Sequence, residues 1–435
     1  MKISKAMVFL LSTSMATLAQ AATNQLHSVP VKTLVTQPVT PLKKIFDAAL
    51  RNSEEINAVL SSVRVAELRA ALAETGYYPT ILGEAIDSTG APGSTGSLGI
   101  GGPMGSPYRS GWGYGIIANQ TLFDFGRTSR SVKAARKEAE AEKSRTEITR
   151  NEVARVTLDT YLQCATSLSL QKNWMEIKKL LEVTTREVGR YVKTGQRSII
   201  ETLLARTQLD EATRAVDSLN SRLIVLRERL AAITGLDAEA IQCPFIADMN
   251  DHAFDEIRSG TNPFLRRALL LKDAADSRID EAKAGYFPKL IGTGSFGDTE
   301  DIRLVTKQNY SLGIGLVIPL FDANFTHTEV ESARAIADQR SHEVKAVQQD
   351  IDDTNLKFDE VIQTTTVELG HFRSELSDVN QAVSEARDRY FAMHGNLVDL
   401  REAVRNFTKT TTDAAVAQSN LLRAKGFKAI YNGQL

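Results

Sequence analysis

Apolar residues follow two different periods along the chain, and each period predicts one kind of element. After residue 309 every second residue is apolar, which is the pattern of a β-strand with one apolar face. The apolar positions of this segment are Tyr310, Leu312, Ile314, Leu316 and Ile318. An earlier segment alternates in the same way at Trp112, Tyr114, Ile116 and Ala118. Together with a weaker segment before each, they predict four strands, near residues 80–87, 112–122, 289–297 and 309–320.

Longer segments repeat apolar residues at alternating steps of three and four, the pattern of helices that pack as coiled coils. One series is Leu369, Phe372, Leu376, Val379, Val383, Ala386, Tyr390 and Met393, and another runs from Leu209 to Ile233. About seventy helix-favouring residues follow Gly126, which corresponds to about 100 Å of helix. The predicted fold class is α+β, mainly α, with two strand hairpins attached to long coiled-coil helices.

The chain contains this strand-then-helix unit twice. Leu122-Phe123-Asp124 ends one apolar strand, and Leu320-Phe321-Asp322 ends another 198 residues later. The same offset relates Thr234-Gly235 to Asn432-Gly433, so the two units differ by no net insertion over this length. We therefore predict a first structural repeat at residues 40–235, a linker at 236–261 and a second repeat at 262–435.

The first residues are typical of a secretory signal peptide. Lys2 and Lys5 precede a short apolar segment, and Ala19-Gln20-Ala21 fits the small-x-small cleavage pattern. We expect residues 1–21 to be the signal peptide and residues 22–39 to be an extended leader.

The two cysteines of the chain are Cys164 and Cys243. An exported chain reaches an oxidising compartment, where the two thiols could pair. One possible bridge is not a disulfide framework, however, and free cysteines are commonly buried as small apolar side chains. We therefore expect two unpaired structural thiols, with a single disulfide as the alternative.

Charge and motif content exclude several classes of function. The chain has 52 Lys and Arg residues against 53 Asp and Glu residues, so it lacks the basic excess of a nucleic-acid-binding surface. Its six histidines show no pairs with metal-ligand spacing, and the sequence contains no hydrolase, zinc-protease or phosphate-loop motif. We expect neither an enzyme nor a bound cofactor or metal.

The chain resembles the TolC family of trimeric outer-membrane efflux and secretion channel proteins. The resemblance rests on the Gly-Tyr-x-Pro turns at Gly76 and Gly285, on the two Leu-Phe-Asp strand ends and on their duplicated order. The resemblance covers the chain from about residue 40 to its end. It implies a homotrimer that forms a 12-stranded outer-membrane β-barrel continued by an α-helical periplasmic tunnel. Since four strands cannot close a barrel alone, the strand count also requires several chains.

The resemblance also implies a function and partners. Such a protein is the exit duct of a tripartite efflux pump or a type I secretion system in the outer membrane of a Gram-negative cell. Its partners would be outer-membrane lipid, a periplasmic adaptor (membrane fusion) protein, and an inner-membrane pump or ABC exporter. The alternative is a soluble secreted or periplasmic coiled-coil protein with a structural or adaptor role. The alternating strands favour the channel, since a soluble coiled coil has no use for them.

Similar proteins close the periplasmic end of their tunnel with a tyrosine and carboxylates, which suggests candidate gate residues here. They are Tyr390, Asp399, Glu402 and the first-repeat counterpart Glu201. Three copies would place Asp399 and Glu402 in a ring that attracts cations. The alternative is that they are ordinary solvated acids on a helix face.

Gly195 and Gly395 are the predicted adaptor-contact residues at the tips of the long helical hairpins. Each could instead simply end a helix. Relative to the 198-residue offset, Gly395 is displaced by two positions from the counterpart of Gly195. We therefore expect the two turns to differ in the details of the gate.

Overall fold

The computed structural model describes residues 39–88, 111–249, 261–301 and 308–433. The predicted signal peptide, and the predicted leader except its last residue, lie outside the described residues, as does the linker from residue 250 to 260.

The described chain is mainly helical with one small antiparallel sheet, which confirms the predicted fold class. The strands are β1 (Thr80–Ser88), β2 (Gly111–Phe123), β3 (Lys289–Asp301) and β4 (Gln308–Val317). The helices are α1 (Leu42–Asn52), α2 (Glu54–Glu74), α3 (Arg127–Lys193), α4 (Ile199–Thr234), α5 (Pro263–Lys283), α6 (Phe325–Phe391) and α7 (Leu397–Tyr431). None of the described helices combines the length and hydrophobicity needed to cross a membrane.

The 198-residue offset is visible in the backbone. The long helices α3 and α6 have 67 residues each and begin 198 positions apart. Every left-handed residue in the described ranges also has a left-handed counterpart at this offset. The pairs are Phe125 and Ala323, Gly126 and Asn324, Gly195 and Met393, and Gly235 and Gly433. The two halves therefore turn in the same way at the start of the long helix, at its far end and after the return helix.

The Leu-Phe-Asp segments mark where a strand gives way to a long helix. The carboxylate of Asp124 accepts a hydrogen bond from the Thr128 amide at 2.8 Å, and that of Asp322 accepts one from the Thr326 amide at 3.0 Å. Each aspartate thus satisfies an amide in the first turn of the helix, where no backbone partner is available. Strand β4 ends at Val317, although we predicted it to reach about residue 320. Pro319 has no amide hydrogen and cannot continue the ladder.

In the sheet, whose strand order is β1-β2-β3-β4, most apolar residues lie on one face and most polar residues on the other. Register partners share a face, and one row joins Gly83, Ile116, Phe296 and Tyr310 across all four strands. The apolar face carries Ile81, Tyr114, Ile116, Ala118, Phe296, Tyr310, Leu312, Ile314 and Leu316. The opposite face, which we call the polar face, carries Thr80, Glu84, Asn119, Thr293, Ser295 and Ser311 together with the apolar Leu82, Ile117, Ile291 and Val317. The period-2 pattern of the sequence therefore describes a sheet with two chemically distinct sides.

The two cysteines form a disulfide, so the prediction of unpaired thiols is wrong. Cys164 lies on α3 and Cys243 follows α4, 79 residues later, with their Cα atoms 6.0 Å apart. They meet because α4 returns along α3 and the chain then folds back onto α3 after Gly235. Both side chains are buried. Pairing thus depends on the return path of the chain, which spacing in the sequence does not reveal.

Candidate functional site at the hairpin tips

The candidate site lies where the two long helical hairpins turn. The first tip joins α3 to α4 through residues 194–198, and the second tip joins α6 to α7 through residues 392–396. Side chains from all four helices pack in one cluster near these turns. Its buried members are Ile177, Leu181, Val188, Ala205, Ala212, Tyr390, Leu397, Leu400 and Val404. The two tips of one chain therefore form a single packed body.

The two turns have the same backbone despite the displaced glycine. Gly195 donates to the carbonyl of Val192 at 3.0 Å, and its counterpart Met393 donates to the carbonyl of Tyr390 at 3.2 Å. Met393 has a φ of 64°, close to the 76° of Gly195. A left-handed conformation costs an L-residue about 1–2 kcal/mol, so the packing of the second tip must offset this cost. The difference that we expected between the copies is therefore absent from the turn geometry.

Gly395 is favoured by the tight space around it rather than by a left-handed backbone. A Cβ atom at this position would lie 3.1 Å from the Tyr390 amide nitrogen and 3.2 Å from the carbonyl carbon of Arg389. The carbonyl of Gly395 faces the first tip. There it accepts a hydrogen bond from Nη2 of Arg197 at 2.8 Å.

Arg197, Glu201, Tyr390 and the Gly395 carbonyl form a polar cluster between the tips, which we call the Arg197 cluster. Tyr390 is fully buried, and its hydroxyl donates to Oε2 of Glu201 at 2.8 Å. The Arg197 guanidinium lies over the Tyr390 ring, 4.9 Å from the ring centroid, and its Nη1 is 3.8 Å from Oε1 of Glu201. The contacts of Tyr390 with Glu201 and Arg197, and of Arg197 with Gly395, join the two tips. The ion pair between Arg197 and Glu201 lies within the first tip and holds the Arg197 side chain in place.

Burial raises the pKa of the Tyr390 hydroxyl well above its usual value, and the hydrogen bond to Glu201 raises it further. A phenolate beside the Glu201 carboxylate would be unfavourable, since two like charges would face each other away from water. Tyr390 therefore remains a neutral donor at physiological pH. Because the pKa is raised in the folded state, this contribution to stability is present below about pH 10 and is lost only at higher pH.

The other two predicted gate residues lie apart from this cluster. Asp399 and Glu402 are exposed on the first turns of α7. The backbone amide of Asp399 donates to the side chain of Asn396 at 2.8 Å, which caps the helix, and the Glu402 carboxylate lies 3.9 Å from Arg405. The structure thus brings Tyr390 and Glu201 together and leaves Asp399 and Glu402 as exposed carboxylates.

Arg197 is the residue of this site that sequence reasoning missed. Two signals could have identified it: it precedes Glu201 by four residues, and it precedes Gly395 by the repeat offset of 198. Residues at i and i+4 share a helix face, and the duplicated unit brings equivalent positions to the same end of the molecule.

The polar groups of the site link the two helical hairpins of one chain by hydrogen bonds. Across the described ranges, no group of three or more His, Cys, Asp or Glu residues is arranged to hold a metal ion. Hydrogen bonds to charged groups contribute about 1.5–3 kcal/mol each, and they exist only while the two tips are in contact.

Solved structures with the same fold are outer-membrane and other membrane proteins. A membrane protein from Pseudomonas aeruginosa matches with 17% identity and a TM-score of 0.76, over 93% of this chain and 95% of its own. The outer membrane protein VceC of Vibrio cholerae matches with 14% identity and a TM-score of 0.75, over 90% and 96%. The CmeC outer membrane channel of Campylobacter jejuni matches with 14% identity and a TM-score of 0.75, over 95% and 92%. The fold is that of an outer-membrane channel subunit.

A comparison with curated proteins found no match. The family model of the outer membrane efflux proteins, in contrast, matches residues 45–236 and 259–426. The chain therefore belongs to the outer membrane efflux protein family, and its location is the outer membrane. The resemblance to TolC-family channels is confirmed, and with it a role in transport across that membrane.

Proposed function

We propose that three copies of the chain assemble into the exit duct of a tripartite efflux pump or a type I secretion system. The predicted signal peptide at residues 1–21 would export the chain. A periplasmic adaptor would connect the duct to an inner-membrane pump or ABC exporter, and the duct itself would be a passive conduit rather than an enzyme. The observation that carries the proposal is the two-faced sheet with its two unpaired edges.

The apolar face of the sheet has the properties of a lipid-facing surface. Tyr310, Leu312, Ile314 and Leu316 are 62–92% exposed in the single chain, a degree that suits contact with lipid rather than water. From Tyr114 to Phe123, strand β2 extends about 30 Å, or about 23 Å along the membrane normal at a tilt of 40°. That height is close to the apolar band of about 25 Å found on outer-membrane barrels.

The edges of the sheet support assembly into a ring. Strands β1 and β4 are the two ends of the strand order and have one paired neighbour each in the single chain. Backbone groups inside a membrane must all be hydrogen-bonded, so β4 of one copy is expected to pair with β1 of the next. Three copies of four strands would give twelve, more than the eight with which bacterial barrels begin.

The polar face would then line the lumen of the barrel. Its hydroxyl and amide side chains include Ser295 and Ser311, whose hydroxyls are hydrogen-bonded to each other across β3 and β4 at 2.8 Å. Such a lining hydrates a passing solute without holding it at one point, which suits a duct.

At the periplasmic end, we propose that the Arg197 cluster holds the two tips of each chain in the closed arrangement. Asp399 and Glu402 of three copies would surround the axis as an acidic ring. The turns at Gly195 and Gly395 would face the adaptor.

Fractionation and planar-bilayer recording test the duct directly. The protein should appear in the outer-membrane fraction as a trimer, and the purified trimer should conduct ions in a planar bilayer. Recovery as a monomer in the soluble periplasmic fraction would contradict the proposal and favour a coiled-coil structural or adaptor role.

Removing the acidic ring should weaken block by multivalent cations. For the variant Asp399→Ala with Glu402→Ala, we expect the concentration of a trivalent cation that halves the current to rise about tenfold or more. The reason is that six carboxylates close together near the axis bind a trivalent cation more tightly than separate single carboxylates do. Half-block concentrations are measured with the cation on the periplasmic side. The control, Glu385→Ala with Asp388→Ala, removes as many charges elsewhere on this tip, and equal effects of the two variants would refute the ring.

A further inference from the structure

The disulfide lies in the packed interior of the first repeat. Cys164 is 0% exposed and Cys243 is 5% exposed. The buried side chains that pack with them are Ile45, Tyr161, Leu223, Leu226, Leu230 and Ile241, from α1, α3, α4 and the segment after α4. A disulfide forms when a thiolate attacks another disulfide, so the oxidant must reach the sulfur that attacks it. The bond therefore has to form before this part of the chain has closed.

The two cysteines lie on elements of different kinds. Cys164 is near the middle of α3, a helix of 67 residues. Cys243 lies in the segment at residues 236–249, whose regular structure consists of the short turns Ala238–Ala240 and Ile246–Asp248. Helices form in about a microsecond, whereas disulfide formation takes seconds or longer. Turns of three residues are not stable alone, so this segment becomes ordered only when it docks.

The contacts that dock the segment lie on both sides of Cys243. Before it, the Gln242 amide donates to Oγ1 of Thr40 at 3.0 Å, across 202 positions of the sequence. After it, the Ile246 amide donates to Oγ of Ser169 at 2.8 Å, across 77 positions. Contacts between such distant residues form late, because a long loop must close first. The step that completes these contacts is therefore also the step that brings the two sulfur atoms together.

We propose that Cys243 is the residue through which a periplasmic thiol oxidase introduces the bond, and that Cys164 is the resolving cysteine. In this sequence of events α3 and α4 pair first, and the leucines of α4 cover Cys164. Cys243 stays accessible on the undocked segment. The proposal goes beyond the duct function, since it needs only a chain that crosses the periplasm on its way to the outer membrane.

The reaction consists of two exchanges of sulfur. The Cys243 thiolate attacks the reactive disulfide of the oxidase, forms a mixed disulfide with one oxidase sulfur and releases the other as a thiolate. When the segment docks, the Cys164 thiolate attacks the Cys243 sulfur and displaces the oxidase. The two thiols of the chain thereby lose two protons and two electrons, and the oxidase leaves as a dithiol.

The cysteine count restricts which enzymes can act on the chain. The 435 residues contain two cysteines, so one intramolecular disulfide is possible. A disulfide isomerase exchanges wrong pairs for right ones and has no wrong intramolecular pair to act on here. The chain therefore depends on the oxidase and not on the isomerase.

Capture of the mixed disulfide tests the order of the two cysteines. Reduced full-length Cys164→Ala and Cys243→Ala proteins are refolded in detergent, and the oxidised oxidase is added once circular dichroism shows that the helices have formed. Acid quenching and non-reducing electrophoresis then measure the mixed disulfide. We expect Cys164→Ala, which retains Cys243, to capture about tenfold more oxidase than Cys243→Ala does. In urea, where both thiols are accessible, the two variants should capture it equally.

Cells that lack the oxidase or the isomerase test the enzyme requirement. Without the oxidase, the outer-membrane amount of the wild-type chain should fall, and the remaining chains should carry two free thiols that alkylation after unfolding detects. The matched control, Cys164→Ala with Cys243→Ala, should be present in equal amounts with and without the oxidase. Loss of the isomerase should leave the oxidised wild-type chain unchanged. None of these readouts depends on conduction, so they test the oxidation step separately from the duct.

Three results would overturn the proposal. The first is equal capture of the oxidase by the two single variants after helix formation, or greater capture through Cys164. The second is an equal fall of the wild type and of the variant without cysteines in cells that lack the oxidase. The third is a loss of the oxidised chain in cells that lack the isomerase.

Discussion

Replacing Cys164 and Cys243 by serine should lower the free energy of unfolding of the helical part by about 2–4 kcal/mol. The bridge closes a loop over a sequence separation of 79 residues, and a cross-link of this length removes much of the conformational freedom of the unfolded chain. The prediction is measured as the urea midpoint and slope of the detergent-solubilised protein, followed by helical circular dichroism.

The disulfide also holds the segment after α4 in place. The Thr40 amide donates to the carbonyl of Gln242 at 3.0 Å, and the Tyr161 hydroxyl donates to the carbonyl of Thr40 at 2.7 Å. Burial raises the pKa of Tyr161 to about 12. If the segment loosens when the bridge is removed, water reaches this hydroxyl. The pKa of Tyr161 in the variant should then fall towards 10, its ordinary value, which spectroscopic titration of tyrosine detects.

Reduction separates the effect of the cross-link from the effect of the substitution. Wild-type protein unfolded and refolded in reductant should have the same urea midpoint as Cys164→Ala with Cys243→Ala, because both lack the covalent loop and retain small apolar side chains. An unchanged midpoint of the wild type in reductant would mean that the disulfide contributes no stability to this part of the fold.

The duplicated architecture could be predicted from sequence because it depends on local patterns. Alternation at Tyr310, Leu312 and Ile314 identifies a strand with one apolar face wherever that strand lies in space. The constant offset between Asp124 and Asp322 likewise requires long helices of equal length, and both have 67 residues. Neither inference needs knowledge of how the elements pack.

The disulfide and the Arg197 cluster could not be predicted in this way, because each is created by packing between distant parts of the chain. Cys164 and Cys243 meet only after α4 has returned along α3. Arg197 reaches the Gly395 carbonyl, 198 residues away, only once the two hairpins lie side by side. The turn at Met393 could not be predicted from local preference either, because Met393 adopts a left-handed backbone that an L-residue disfavours.

We expect the change Tyr390→Phe, which alters the Arg197 cluster, to favour the open arrangement of the tips. The change removes only the hydroxyl that donates to Glu201 at 2.8 Å and keeps the buried ring beneath Arg197. A hydrogen bond to a charged group contributes about 1.5–3 kcal/mol, so the opening equilibrium of each chain should shift by about tenfold or more. The measurement is the open probability and conductance of single channels in planar bilayers.

Tyr191→Phe is the matched control, since it removes the same atom from the neighbouring hairpin. The Tyr191 hydroxyl is 3.4 Å from the carbonyl of Phe391, a long and therefore weak hydrogen bond, so its loss should change the open probability little. Glu201→Gln combined with Tyr390→Phe completes a double-mutant cycle. If the two side chains act as one latch, the double variant should open little more than either single variant. Additive effects, or equal effects of Tyr390→Phe and Tyr191→Phe, would show that the tips are held together by apolar packing instead.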